Sequence, residues 1–415
     1  MKTDYNLFLQ ALKASLENRK VDWTQEITLD QWETIFKLAD LHNVLPMIYE
    51  SVYSCESAKS IPLQMSSVIA GKAMRSVSMQ AVQTAQFKRL YAHLRQAEVV
   101  PLVVKGIVCR SLYPNPDYRF SGDEDLLVSP EKFMQCHKAM LDFGMQLTEP
   151  EKDIEAVHEL GYGKAKSPIY IELHKSLFPP ESDAYGDFNK LFEEIWGRTV
   201  EIEAEGERFL TLGYTDHLFY LICHALKHFL HSGFGVRQVC DIALFAEAYG
   251  ENIDWQNVYE RCQNVNGEVF TAALFKIAEK YLGFDSDTLH LPEVWRNIET
   301  DEEMLLEDLL EAGVYGDSDL SRKHSSNMTL GVVAADKKGK KAKGGVMKSV
   351  FPSAKALSGR YPYLNEKPYL LPVAWTDRIL KYRKETASMS DNNAKASLKI
   401  GGKRVELLRK YKIVK

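Results

Sequence analysis

No stretch of this 415-residue chain stays apolar for the roughly eighteen residues that a membrane span needs. A mean hydropathy of −0.28 agrees. The opening residues, MKTDYNLFLQALKASLENRK, carry acids and lack the apolar run and small-residue cleavage site of a secretory leader. Cysteine is scarce: Cys55, Cys109, Cys136, Cys223, Cys240 and Cys262 include no CxxC pair. That excludes a zinc ribbon or a disulfide scaffold and points to reduced thiols, several of them in the core. Also missing are a GxxxxGK[ST] phosphate loop, a GxSxG elbow, a GxGxxG after a strand, and the paired HRD and DFG of a kinase. Disorder is excluded by a composition that is 45% hydrophobic and 11% aromatic. The expectation is a soluble, cytoplasmic protein with no membrane partner and more than one domain.

The net charge of −5 hides an asymmetry. Residues 337–415 hold 21 Lys+Arg against 5 Asp+Glu, while residues 1–336 hold 31 against 52. A basic C-terminal arm resting on an acidic body is the favoured reading; an arm that meets a nucleic acid is possible but not favoured. The run Lys337-Lys338-Gly339-Lys340-Lys341-Ala342-Lys343 has no interleaved aromatics, so it does not read as a stacking platform for single strands.

Along the chain, residues 4–98 read as helical, with Tyr5, Phe8, Leu12 and Leu16 at helical spacing and Asp30 before the run Trp32, Ile35, Phe36 and Ala39. The texture then changes. Val99 to Val104 is a short β-branched run, Asp123 to Val128 a second strand, and Ser129-Pro130 the start of a helix that Gly144 stops. Further strand-like runs cover Met145–Thr148 and Ile169–Leu173, and helices resume from a Thr215 cap to about Gly313. The fold class is therefore α+β, a mixed β-sheet core flanked by N- and C-terminal helical regions. The expected divisions are an N-terminal helical region (1–85), a core (86–205), a helical domain (206–315), a flexible basic linker (316–350), a docking segment (351–386) and a mobile or weakly helical basic tail (387–415).

Chemistry concentrates in Val103-Val104-Lys105-Gly106 and Tyr118-Arg119-Phe120-Ser121-Gly122-Asp123-Glu124-Asp125-Leu126-Leu127-Val128. Side chains alternate along a strand, so Asp123 and Asp125 share one side, about 7 Å apart, while Glu124 points away. Two such carboxylates suit a pair of divalent cations and in-line phosphoryl displacement. Gly106 would let phosphate oxygens approach the following helix N-terminus. Lys105 offers a mobile charge for a β- or γ-phosphate, or simply a solvated strand end. Arg119 offers a bidentate contact to phosphate, or an ion pair with Asp117 or Asp123.

This pattern of strand, Lys-Gly, tyrosine-proline turn and Arg-(x)3-Asp-x-Asp-Leu-Leu-Val resembles the uncharacterised nucleotidyltransferase family of the DNA polymerase β-like superfamily. Ile169 to His174 (IYIELH) resembles the strand that supplies a third metal-binding carboxylate there. Leu221–His228, RQVCDIA at 237–243 and, loosely, YPYLNEKPYLLPVAWTDR at 361–378 resemble later motifs. Lys105-Gly106 departs from the superfamily's usual Gly-Ser. The resemblance implies transfer of a nucleoside monophosphate from an NTP, ATP among the candidates, to a hydroxyl-type acceptor, small molecule or protein, with release of pyrophosphate. It implies Mg²⁺ or Mn²⁺ on Asp123, Asp125 and Glu172, the last also able to take the acceptor's proton.

His217, His224, His228 and His231 fall on nearly one face of a helix. The functional reading is a helix lining the nucleotide cleft, with Lys227 and His228 near phosphate; the other is a half-buried helix face. His224 and His228, at i and i+4, lack the glutamate of an HExxH zinc site. Arg237 and Asp241 read as an intrahelical pair. Two alternatives stand beside the enzyme: a catalytically silent nucleotide-binding module of the same fold, and a helical interaction protein whose acidic strand is incidental.

Overall fold

The computed structural model describes residues 3–151, 153–155, 157–313, 320–339, 353–357, 361, 363–386 and 394–415. Four helices open the chain: α1 (Thr3–Leu16), α2 (Leu29–Leu41), α3 (Leu45–Val52) and the 34-residue α4 (Leu63–Gln96). The start of α2 lies one residue before Asp30. Thr28 is its cap, accepting from the Gln31 backbone while Gln31 reaches back, a reciprocal box that local sequence offered and the apolar spacing obscured.

The sheet follows: β1 (Leu102–Val103), the short helix α5 (Ile107–Arg110), β2 (Glu124–Leu127), α6 (Pro130–Asp142), β3 (Gln146–Leu147), β4 (Glu159–Gly163) and β5 (Tyr170–His174). Its spatial order is β1-β2-β5-β4-β3, with β2 and β5 parallel and the other neighbours antiparallel. A separate hairpin of β6 (Thr199–Ala204) and β7 (Glu207–Leu212) adjoins β1, where the Thr211 hydroxyl donates to the Val103 carbonyl. Neither β4 nor this hairpin was evident from apolar alternation. The helices α7 (Tyr214–Leu230), α8 (Val236–Tyr249), α9 (Trp255–Asn264), α10 (Glu268–Leu282), α11 (Glu293–Arg296) and α12 (Glu302–Ala312) complete an α+β fold around one large core. Thr215 is not the cap of α7, which starts at Tyr214 after Gly213; its hydroxyl instead accepts from the Asp254 backbone.

The face of β2 turned away from the two aspartates contains the organising contact. Glu124 is fully buried; its carboxylate accepts from the Ile107 N–H (2.7 Å) and from Arg110 (2.8 Å), which is equally buried. Gly106 is required here: at φ +61 a Cβ would lie 1.8 Å from Glu124 Oε2. The N-terminus of α5 is thus occupied by the protein's own carboxylate and not free for the phosphate expected at Gly106. Arg110 also donates to Thr84 on α4 and to Ser121, and Ser121 in turn accepts from Arg119 and gives its N–H to Gln80.

Arg119 does not pair with Asp117 or Asp123. Its guanidinium grips Asp241 of α8 in two parallel bonds (2.7 and 2.6 Å), to which Tyr113 adds a third. Asp241 is therefore not held in the expected intrahelical pair, and Arg237 donates to the Phe120 carbonyl. These contacts clamp the turn from Phe120 to Gly122 that delivers Asp123.

The C-terminal third is more ordered than its composition implied. An 18-residue helix, α13 (Leu320–Lys337), crosses the expected linker, and the tail folds as a helix (Ala394–Lys410) that packs along it and buries Leu407, Leu408, Tyr411, Ile413 and Val414. Charged residues concealed this, because apolar positions are sparse until Val405. Ion pairs join the basic segment to the acidic body: Lys338 with Asp183, Lys403 with Glu311, Lys337 with Asp187 and Lys410 with Asp301. The lysines from Lys340 to Lys348 lie outside the described residues. Within 353–386, Leu357, Tyr361, Leu364 and Ala374 form a small cluster apart from the main core. No helix among the described residues is long and apolar enough to cross a membrane.

Arg110→Met strands a charged Glu124 in a dry interior and should cost about 3–5 kcal/mol in urea denaturation. Adding Glu124→Gln removes the charge, keeps an acceptor for Ile107 N–H, and should recover a good part of that loss. A double variant no more stable than Arg110→Met would show that the pair does not organise this region.

Candidate active site

Parallel pairing of β2 with β5 sets Asp125 directly beside Glu172 and Leu127 beside His174, while β4 sets Glu159 beside His174. Because side chains alternate, Asp125, Glu172, His174 and Glu159 share one face of the sheet, and Leu126, Ile171 and Leu173 fill the core on the other. His174 Nε2 is 3.3 Å from Asp125 Oδ1 and 3.8 Å from Glu172 Oε2. One ligand atom from each of these three residues lies within 4.8 Å of the others, a grouping that could hold a single metal ion. Asp123, half-buried one turn-residue before β2, is not part of that close set, although its charge acts on both Asp125 and Glu172.

Several cations and imidazoles face these acids. Lys105, immediately after β1, acts on Asp123, Asp125 and Glu172 through its charge, and its Nζ is 3.5 Å from His224 Nε2. His228 Nε2 is 3.3 Å from the same His224 nitrogen, and the Lys227 charge reaches Asp125. The end of α7 therefore brings Lys227, His224 and His228 to the acidic face. The other two histidines turn elsewhere. His217 is a satisfied core residue between the Val104 carbonyl and Thr211, and His231 meets the Tyr185 hydroxyl at 2.7 Å. Arg119 and Gly106 stand behind the site, as described above.

Sequence reasoning passed over His174 and Glu159. The first had a signal: it follows Glu172 by two residues, so strand alternation places both on one face. The second had none, since its place depends on a pairing between β4 and β5.

The carboxylates do not share one acidity. Burial would raise Asp125, but the His174 hydrogen bond and the Lys105 charge outweigh it and hold the group down to about 2. Glu172 is pushed up to about 9 by burial and by the charges of Asp125, Asp123 and Glu159. Asp123 is raised too, by burial and then by Asp125. Burial and the neighbouring lysines hold His224 and His228 well below 6.5, so both are neutral imidazoles at pH 7. Without a cation the acids cannot all ionise together; a bound cation removes that conflict. The donor chemistry fits one. Asp125 Oδ2 is buried without a hydrogen-bond partner, an acceptor of the kind a cation would satisfy.

A family model described as an uncharacterised nucleotidyltransferase matches residues 28–283, and the chain belongs to that family. The match takes in α2 to α10, including every residue of the acidic face, and ends before the 361–378 segment. No curated protein and no solved structure matches the chain.

The raised Glu172 has a consequence for stability. A carboxyl whose folded acidity is weakened contributes fully below its unfolded value near 4.5 and loses that contribution as pH rises towards 9. Between pH 6.5 and 8 the cation-free protein should therefore lose stability relative to Glu172→Gln, at up to about 1.4 kcal/mol per pH unit. Urea midpoints of the two proteins across that range check this; parallel curves would refute it.

Proposed function

We propose that the chain is a cation-dependent nucleotidyltransferase that moves a nucleoside monophosphate from an NTP to a hydroxyl of a small-molecule or protein acceptor, releasing pyrophosphate. The observation that carries this reading is the single sheet face on which Asp125, Glu172 and His174 converge opposite Lys105 and Lys227. Family membership supports a transferase acting on an NTP.

Asp125, Glu172 and His174 would hold a divalent cation, with Asp123 at their edge for a second. Such a cation, when bound, neutralises the charge that develops on the α-phosphate oxygens. Lys105 and Lys227, both half-exposed, are the groups for the β- and γ-phosphates of the triphosphate. The neutral His224 and His228 can each donate one N–H there without drawing the carboxylates into competing ion pairs. In the transfer step the acceptor oxygen bonds to the α-phosphorus and the bond from that phosphorus to the bridging oxygen breaks, so the electron pair leaves with pyrophosphate. With the cation bound Glu172 would be ionised and would take the acceptor's proton; its side chain is 27% exposed against 6% for Asp125, which gives it the freer path to substrate and solvent. Positioning and charge neutralisation supply the rate, on strands that hold their carboxylates rigidly.

The body's acidity argues against a polyanionic acceptor. Four lysines of the basic arm, Lys337, Lys338, Lys403 and Lys410, are paired with acids of the body.

In a thermal-shift screen of ATP, GTP, CTP and UTP with Mg²⁺ or Mn²⁺, at least one nucleotide should raise the melting temperature only when the cation is present. Asp125→Asn should abolish that response, and Lys105→Met should weaken nucleotide affinity by about tenfold or more without abolishing cation binding. A shift that survives Asp125→Asn would place nucleotide binding elsewhere.

A further inference from the structure

His174 differs from the acids around it in offering nitrogen. We propose that His174 is a direct ligand of the site's cation through Nε2, oriented from behind by Glu159 through Nδ1, and that this mixed donor set makes the site select Mn²⁺ over Mg²⁺. The inference rests on the cation-dependent reading above and specifies which ion and which ligand serve it.

The geometry carries it in three steps. Two ligands side by side on an ion with bonds of about 2.1–2.2 Å stand about 3.0–3.5 Å apart. His174 Nε2 and Asp125 Oδ1 are 3.3 Å apart, inside that span, and the 3.8 Å to Glu172 Oε2 closes by a small turn of the more exposed glutamate. Next, the far side of the imidazole is already provided for. His174 Nδ1 has no hydrogen-bond partner within ordinary reach, yet Glu159 Oε2 stands 3.5 Å from it. A carboxylate behind the ring nitrogen that does not bind metal is the usual way a ligating histidine is aimed and made more basic. Finally, Asp125 Oδ2 is buried and unpartnered on the same side, in a side chain only 6% exposed. A proton between His174 and Asp125 can satisfy Oδ1 but leaves Oδ2 orphaned. A cation in place of that proton can engage the aspartate, the glutamate and the imidazole together.

The choice of ion follows from donor chemistry. Mg²⁺ favours oxygen ligands, demands near-ideal octahedral geometry and sheds water reluctantly. First-row transition ions accept imidazole readily, and Mn²⁺ among them also keeps the taste for carboxylate oxygen that Asp125 and Glu172 require.

Pulsed electron paramagnetic resonance of the full chain loaded with Mn²⁺ alone tests this. Nitrogen modulation is expected in the wild type, changing to the ¹⁵N pattern when the protein carries [¹⁵N]histidine, a comparison that needs no substitution. His174→Gln should abolish the modulation and narrow the preference for Mn²⁺, which calorimetry should place at about tenfold or more over Mg²⁺ in the wild type. Glu159→Gln should keep the modulation while weakening Mn²⁺ binding by about 10- to 100-fold. Mn²⁺ that binds without nitrogen modulation, or with modulation that survives His174→Gln, overturns the role of His174 and leaves the transferase reading standing. A chain that binds neither Mn²⁺ nor Mg²⁺ overturns both.

Discussion

A buried carboxylate that never meets substrate underlies the candidate active site. Glu124 lies between two acids of the opposite face, and its pairing with Arg110 and the Ile107 N–H fixes β2 in depth and in register. Through Arg110 the constraint reaches Thr84 of the long α4, and through Ser121 it reaches Arg119 and Asp241 of α8. Two buried arginines thus converge on one hydroxyl, that of Ser121 in the turn before Asp123. Desolvating so much charge is not an efficient route to stability, since apolar side chains of similar volume often serve as well. Its return is directional: a planar guanidinium bonded at several points tolerates little displacement. For a site whose work is positioning, rigidity behind the carboxylates matters more than the free energy of the pair.

Seen from the front, the same strand has the opposite electrostatic character. Behind β2 each buried charge is matched; in front, Asp123, Asp125, Glu172 and Glu159 crowd together with too few cations, so Glu172 retains its proton up to about 9. One strand therefore divides a compensated network from an uncompensated one. Residual frustration of this kind is tolerated where a ligand will relieve it, and the orphaned Asp125 oxygen marks the spot. Lys105 moderates the imbalance without removing it, since a flexible ammonium beside His224 is equally free to follow a phosphate.

What could be read from the amino-acid order follows from the range of the forces involved. The alternation along 123–128 and 169–174 is local, so the common side of Asp123 and Asp125, and Glu172 off the apolar side of its own strand, were legible; that Glu172 stands beside Asp125 came from the family resemblance, because it depends on the pairing of β2 with β5. The third strand-borne member of the cluster, His174, obeyed the same period of two and was overlooked because attention went to carboxylates. Partners chosen across the fold left no such trace. Nothing near Arg119 names Asp241, 122 residues away. Gly106 was expected to admit a phosphate oxygen to the backbone; the oxygen found there belongs to Glu124. The helix at 320–337 was missed because the Lys- and Gly-rich run beginning at Lys337 made the whole segment read as a linker; the tail, expected to be mobile or weakly helical, forms the helix at 394–410 that packs along it.

Those two helices bear on the site as well as on the fold. Side chains from the C-terminal segment supply donors to carbonyls at and just past the end of α7: Arg404 donates to Phe229 and His231, Thr329 to Leu230, and Arg322 to Ser232. Arg322 and Arg404 share the buried Asp308 of α12, which keeps two guanidiniums together at the helix end where positive charge is most favourable. The turn of α7 so anchored is the one that carries Lys227 and His228. The basic arm, expected to rest on the acidic body, is thereby tied through Arg404 to the helix that faces the acidic cluster. Its basicity answers the acidity of the body, and part of that answer lies in holding the cationic wall of the site in place.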